Sequence, residues 1–144
     1  MEKIARLEQI AADLYEHFAN IFSNDVALNA LFSRMKREEM NHKSQVLLQK
    51  RLSNNDLFEH LPQPVDLTAI DQTIDMLREQ LSIETLHPKD ALEFAIMFES
   101  QGIESAYRGV LSLQNVALAK LAKALSAGDD AHVKRLKEMR QKYE

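Results

Sequence analysis

The chain has 144 residues and no cysteine, and its 18 Lys and Arg residues against 22 Asp and Glu leave a net charge of −4. This length suits one domain with a sizeable core, so we expect a single domain over residues 1–144. The absence of cysteine excludes disulfides and thiolate metal sites, and the acidic balance argues against nucleic acid as a partner. Because no run approaches the roughly 20 apolar residues of a membrane helix, we expect no membrane partner, no signal peptide and a cytoplasmic location.

The first third of the chain predicts two helices joined by a tight turn. Apolar residues at helical spacing indicate a helix from about 2 to 22, and the Ser-Asn-Asp turn at 23–25 precedes a second helix over 26–52. A connection this short makes the two helices antiparallel neighbours. Glu8 lies inside the apolar stripe of the first helix and shares a face with Tyr15, since seven residues are nearly two turns.

The second helix carries an acid three residues before a histidine, namely Glu39 and His42. This spacing puts both side chains on one face of the helix. The same face otherwise carries Leu28, Phe32 and Met35, so the two polar groups point where the sequence places core residues. Burying a carboxylate and an imidazole is costly without compensation, and a metal ion is the usual compensation for these two groups.

Residues 53–87 are predicted to be a long crossover connection, with a shorter helix at 67–81 whose packing the sequence leaves open. An acid three residues before a histidine recurs there, at Glu84 and His87. Because Pro88 follows at once and no apolar stripe surrounds this pair, we interpret it as a chance occurrence.

The second half of the chain predicts another pair of helices. Pro88 suits the first turn of the third helix, and the fourth runs from about 115 to 143. The apolar face of the third helix includes Glu99, while Glu93 and Glu104 are competing acids on the same helix. Alignment of the two halves of the chain favours Glu99.

The two halves form an internal repeat. Asp-Val-Ala-Leu at 25–28 returns as Asn-Val-Ala-Leu at 115–118, and at this offset the acid-x-x-His pattern of one half falls on the same pattern in the other. The inward-facing carboxylates of the two first helices align at an offset one residue longer. Buried together, four carboxylates would repel, and two divalent cations would cancel their charge. The candidate metal ligands are Glu8, Glu39, His42, Glu99, Asp129 and His132.

This set of residues resembles the rubrerythrin branch of the ferritin-like superfamily, over residues 2–52 and 88–143. The resemblance implies an all-α, ferritin-like four-helix bundle of two antiparallel hairpins with a long crossover, holding two iron ions, with manganese or zinc possible. It implies that the metals are bridged by Glu39 and Asp129. It implies that the two sites are completed by Glu8 with His42 and by Glu99 with His132. Tyr15 and Tyr107 look like the family's tyrosines near the bridging carboxylates, which makes them candidate catalytic residues, with core packing and a bonded hydroxyl as the alternative.

The resemblance implies a redox function toward peroxide or dioxygen, as a homodimer, and the sequence does not choose between these oxidants. Because the chain has no cysteine, turnover would need an external electron donor. Two alternatives stay open: a ferroxidase or iron-storage subunit, which would form a large closed oligomer, and a metal-free helical scaffold.

Other polar and sulfur-containing side chains have simpler interpretations. His17 lies about half a turn from the Glu8 face, so we expect it to be exposed. Methionine fills irregular gaps in cores, so we interpret Met35, Met40, Met97 and Met139 as packing residues.

Overall fold

The regular secondary structure in the described part of the chain is all helical. The structure, a computed structural model, describes backbone at residues 2–52, 67–100 and 131–143, and side chains at 5–48, 70–100 and 131–143. Every regular element in these ranges is an α-helix, so the predicted all-α class is confirmed. No helix in the same ranges is long and apolar enough to cross a membrane.

The observed helices agree closely with the helical periodicity of the sequence. They are α1 Glu2–Ile21, α2 Val26–Leu52, α3 Leu67–Leu81, α4 Pro88–Ser100 and a further helix, α5, at residues 131–141. Pro88 opens α4 as predicted, because its fixed φ suits the first turn of a helix and its missing N–H removes no bond there. The chain divides into two compact units, Met1–Glu84 and Thr85–Glu144.

In the first unit, α1 and α2 pack as an antiparallel hairpin. Near the closed end, the Asn29 Nδ2 atom donates to the Ala19 carbonyl oxygen at 2.8 Å. Far from the turn, the Lys43 Nζ atom donates to the Gln9 Oε1 atom at 2.7 Å. Residue numbers rise along one helix as they fall along the other, which is the antiparallel arrangement predicted from the short turn.

The core of this hairpin centres on Phe32. Its ring lies 5.2 Å from the ring of Phe18 in an edge-on arrangement, 6.2 Å from Tyr15 and 6.1 Å from Phe22. Complete burial of each large apolar side chain stabilises the fold by about 1.5–3 kcal/mol. Side chains with no exposed surface on α1 and α2 include Leu7, Leu14, Tyr15, Phe18, Leu28, Phe32 and Met35.

Helix α3 packs on α1 within the first unit. It buries Ile70 and Leu77 completely. Directly after α3, the carbonyl oxygen of Ile83 accepts a 2.6 Å hydrogen bond from the His17 Nε2 atom. His17 is therefore half-buried, and the expectation that it is exposed was wrong, because the chain leaving α3 passes over that side of α1.

The second unit contains a matching antiparallel pair, α4 and α5. In the middle of α4, Glu93 pairs with Arg140 near the end of α5 at 3.1 Å. Further along α4, Glu99 lies 3.7 Å from His132, which precedes Arg140 by about two turns on α5. The core side chains of this unit include Ala91, Leu92, Ala95, Phe98 and Leu136.

Two methionines differ from the packing role predicted for them. Met35 is completely buried, but Met40 is 36% exposed and Met97 is 42% exposed. Met40 follows the buried Glu39 and so lies about 100° further round α2, away from the core. The prediction from residue type failed there because helix position, not side-chain polarity, sets which residues reach the core.

The start of α2 provides a test of local structure. Asp25 precedes the helix, and its Oδ1 atom accepts a 3.1 Å hydrogen bond from the backbone N–H of Leu28. This is the N-cap interaction, which satisfies an N–H that has no partner within the helix. We expect Asp25→Ala to lower the free energy of unfolding by about 1 kcal/mol in urea denaturation, and Asp25→Asn to keep most of it. The neighbouring exposed Asn24 is the control, and an equal loss from Asn24→Ala would show that the cap contributes nothing specific.

Candidate metal centre

In the first unit, Glu8, Glu39 and His42 come together between α1 and α2. Glu8 and Glu39 have no exposed surface and His42 is 7% exposed. One ligand atom from each residue lies within 4.8 Å of the other two. The hairpin produces this cluster because Glu8 lies on the inward face of α1, while Glu39 and His42 share the inward face of α2.

The distances within this cluster suit a bound cation. The His42 Nδ1 atom lies 3.9 Å from the Glu8 Oε2 atom and 3.8 Å from the Glu39 Oε2 atom. A direct N–H···O hydrogen bond spans about 2.7–3.2 Å. Two ligand atoms on one metal ion, each about 2.0–2.2 Å from it, lie between about 3 and 4.4 Å apart. The observed separations exceed the first range and fall inside the second.

The electrostatics of the cluster favour the same interpretation. Removing an ionised carboxylate from water carries an effective penalty of several kcal/mol, even after the protein relaxes. Glu8 and Glu39 are both inside the core, and His42, if protonated, would offset one negative charge but not two. A divalent cation would offset both. Two carboxylates, one imidazole and no sulfur form a ligand set suited to iron, manganese or zinc.

The second unit brings a similar pair together between α4 and α5. The His132 Nδ1 atom lies 3.7 Å from the Glu99 Oε2 atom, and the two side chains are 1% and 2% exposed. As in the first unit, the separation is longer than a hydrogen bond and within the range for two ligands of one metal ion. Both histidines present Nδ1 toward a carboxylate, so the two hairpins offer the same ring nitrogen.

The other acids and histidines that the sequence offered as alternatives differ from the residues of the two clusters in burial or in position. Glu93, one of the competing acids on α4, is 42% exposed at its side chain and pairs with Arg140. Glu84 and His87 are exposed and lie between α3 and α4. Because both residues lie outside a helix, their acid-x-x-His spacing does not place them on one helical face, which agrees with a chance occurrence.

Several predicted site residues keep the status of predictions. Tyr15 is completely buried on the same helix as Glu8, where its ring stacks on Phe32, and its catalytic role is untested by this packing. Asp129 and Tyr107 lie outside the described residues, as does the competing acid Glu104.

Our sequence analysis did not predict a series of hydrogen bonds beside the triad of Glu8, Glu39 and His42. Lys43, next to His42 in sequence, donates to the Gln9 side chain at 2.7 Å, and the Gln9 Nε2 atom donates to the Asp13 carboxylate at 2.9 Å. These hydrogen bonds connect α1 to α2 at positions next in sequence to the candidate ligands Glu8 and His42. No motif identified them, because each of these residue types is common on helix surfaces and only the pairing of the helices brings them together.

The chain matches no family model, no curated protein and no solved structure. The assignment of a function therefore rests on the residues of the two clusters themselves.

The triad predicts that Glu39→Gln changes stability in opposite directions with and without metal. In chelator, the substitution removes one of two buried negative charges, so the melting temperature should rise by a few degrees, equivalent to about 1 kcal/mol. With zinc added, the wild-type chain should gain roughly 3 kcal/mol at 100 times the dissociation constant, and the variant should gain much less. Thermal melting followed by circular dichroism measures both effects.

Glu84→Gln is the matched control, since it removes an exposed carboxylate from the same acid-x-x-His spacing. Its melting temperature should follow the wild type in both buffers. If Glu39→Gln instead melts lower in chelator and responds to zinc as the wild type does, Glu39 is a structural residue and not a ligand.

Proposed function

We propose that this protein is a ferritin-like di-iron carboxylate protein, similar to the rubrerythrins, with redox activity toward peroxide or dioxygen. The observation that carries the proposal is the buried triad of Glu8, Glu39 and His42, in which two carboxylates and an imidazole converge with metal-ligand spacing. The buried Glu99–His132 pair, on the matching helices of the second hairpin, supports it.

In the proposed architecture the two hairpins form one four-helix bundle, and their ligand sets share two metal ions. Glu8 and His42 would hold one ion, and Glu99 and His132 would hold the other. Glu39 and Asp129 would bridge the pair, as the resemblance to the rubrerythrins implies. The α1–α2 and α4–α5 pairings supply the antiparallel hairpins that this arrangement requires.

Iron is the proposed resident metal, because a ligand set rich in carboxylate and free of sulfur suits iron and manganese. Bound iron would supply the electrons that reduce peroxide or dioxygen. The protein residues have three roles. Glu8, Glu39 and His42 fix the position of the metal, the apolar side chains around them exclude bulk water, and the Lys43–Gln9 bond holds α1 and α2 at the level of the ligands. An external electron donor completes a catalytic cycle, since the chain has no cysteine.

The proposed ligand sets predict the metal content of single variants. Protein produced with ample iron and loaded anaerobically with Fe(II) should bind two ions per chain by metal analysis and calorimetry. His42→Ala and His132→Ala should each lower the affinity for one of the two ions, and for a different ion in each case, because each substitution removes one ligand from one proposed site. The double variant should retain little metal. Loss of a group that only hydrogen-bonds a ligand commonly costs about 10–100-fold in metal affinity, so loss of a ligand should cost at least as much.

His87→Ala is the control for the loss of an imidazole, because His87 is exposed, and it should bind as the wild type does. A wild-type chain that binds no Fe(II), Mn(II) or Zn(II) would favour the metal-free scaffold and overturn the proposal.

The proposed redox function predicts that only a redox-active metal supports activity. Iron-loaded protein with a reductant should consume peroxide or dioxygen over many turnovers, whereas zinc-loaded protein should consume neither, because zinc has no accessible redox change. Light scattering of the iron-loaded protein distinguishes the proposed enzyme from the storage alternative. A large closed oligomer that accumulates ferric mineral would show that the protein is a storage subunit and would contradict the proposed enzyme function.

A further inference from the structure

The two exposed methionines form a feature that the proposed metal centre does not use. Met40 on α2 is 36% exposed and Met97 on α4 is 42% exposed, and both stand among the large apolar residues on the surface of the described chain. A thioether in solvent adds little to core packing but is open to oxidants. We propose that Met40 and Met97 are sites of reversible methionine oxidation.

The chemistry requires only a peroxide as co-reactant. The sulfur lone pair attacks one oxygen of hydrogen peroxide, an S–O bond forms and the O–O bond breaks. The departing hydroxide takes up the remaining peroxide proton, so one peroxide and one thioether give one sulfoxide and one water. Sulfur loses two electrons and peroxide gains them. Methionine sulfoxide reductases reverse this modification.

The surroundings of Met40 leave its thioether accessible. Its neighbours one turn along the exposed face are Arg37 and Ser44, both themselves exposed. The Ser44 Oγ atom donates to the Met40 carbonyl oxygen at 3.1 Å, so this hydroxyl is engaged with the backbone. Near Met97, Ser100 is exposed and has a short side chain. Glu93, one turn before Met97, forms an ion pair with Arg140 at 3.1 Å. Apart from Phe94, three residues before Met97, the described neighbours one turn away on the helical face of either thioether are polar.

The position of Met40 relative to the metal ligands determines what its oxidation should do. Met40 lies between Glu39 and His42 in sequence, but it is about 100° round the helix from Glu39. Its sulfoxide oxygen would enter solvent and not the triad. Oxidation at this position should therefore leave both the fold and the metal ligands in place.

Met35 is the contrasting case on the same helix. It is completely buried, one turn before Glu39 and on the same inward face. A sulfoxide there would place a polar group in the core without compensation, which disrupts packing. Met76 and Met139 are half-buried and should fall between these extremes. The order of oxidation along the chain is thus set by exposure.

The test uses the full chain in chelator, treated with hydrogen peroxide and followed over time by peptide-resolved mass spectrometry. Met40 and Met97 should each gain one oxygen at initial rates at least roughly tenfold above that of Met35. The helical circular dichroism signal should persist, and treatment with reductases for both sulfoxide epimers should restore the thioethers. Because metal is absent, the outcome does not depend on the proposed di-iron function.

Two further measurements check the assignment. In urea strong enough to unfold the chain, the rates at Met35, Met40 and Met97 should converge, since folding alone separates them. The Met40→Leu, Met97→Leu double variant should lose both fast oxidations while keeping the wild-type melting temperature. Oxidation of Met35 as fast as that of Met40 in the folded chain would overturn the proposal. Loss of helical signal in step with oxidation of Met40 and Met97 would also overturn it.

Discussion

The burial of two carboxylates beside one imidazole is the constraint on which the first unit depends. Glu8 and Glu39 have no exposed surface, and the His42 ring nitrogen lies 3.8–3.9 Å from an oxygen of each. In an apolar core such a group either takes up protons or is neutralised by a cation. The cluster lies in an otherwise apolar seam, and its three residues could hold a metal ion.

The hairpin that holds this cluster has several stabilising interactions toward its closed end. Asp25 caps α2, Asn29 bonds the last turn of α1, and aromatic rings pack around Phe32. These interactions fix the register of the two helices some distance from the ligands. The Lys43–Gln9 hydrogen bond adds a connection between the two helices one residue from Glu8 and His42.

Much of the local structure could be predicted because its signals are local. Helical spacing of apolar residues identified α2 and α3, and Pro88 marked the start of α4. The same reasoning failed for His17, because its partner is the carbonyl oxygen of Ile83, far away in sequence. It failed for Met40 because an apolar side chain was assigned to the core without regard to its place on the helix. For His17 the missing information was a neighbour across space, whereas for Met40 the helical position itself could be read from the sequence.

By itself the sequence determined which segments form helices and which candidate ligands share a helical face, since 3.6-residue periodicity relates neighbours on one helix. Only the tertiary structure decided that Glu8 meets His42, that α3 packs on α1, and that His132 lies beside Glu99 while Glu93 pairs with Arg140. These outcomes depend on how one helix rotates and slides against another. Periodicity within a single helix leaves both motions undetermined, and side-chain packing between helices sets them.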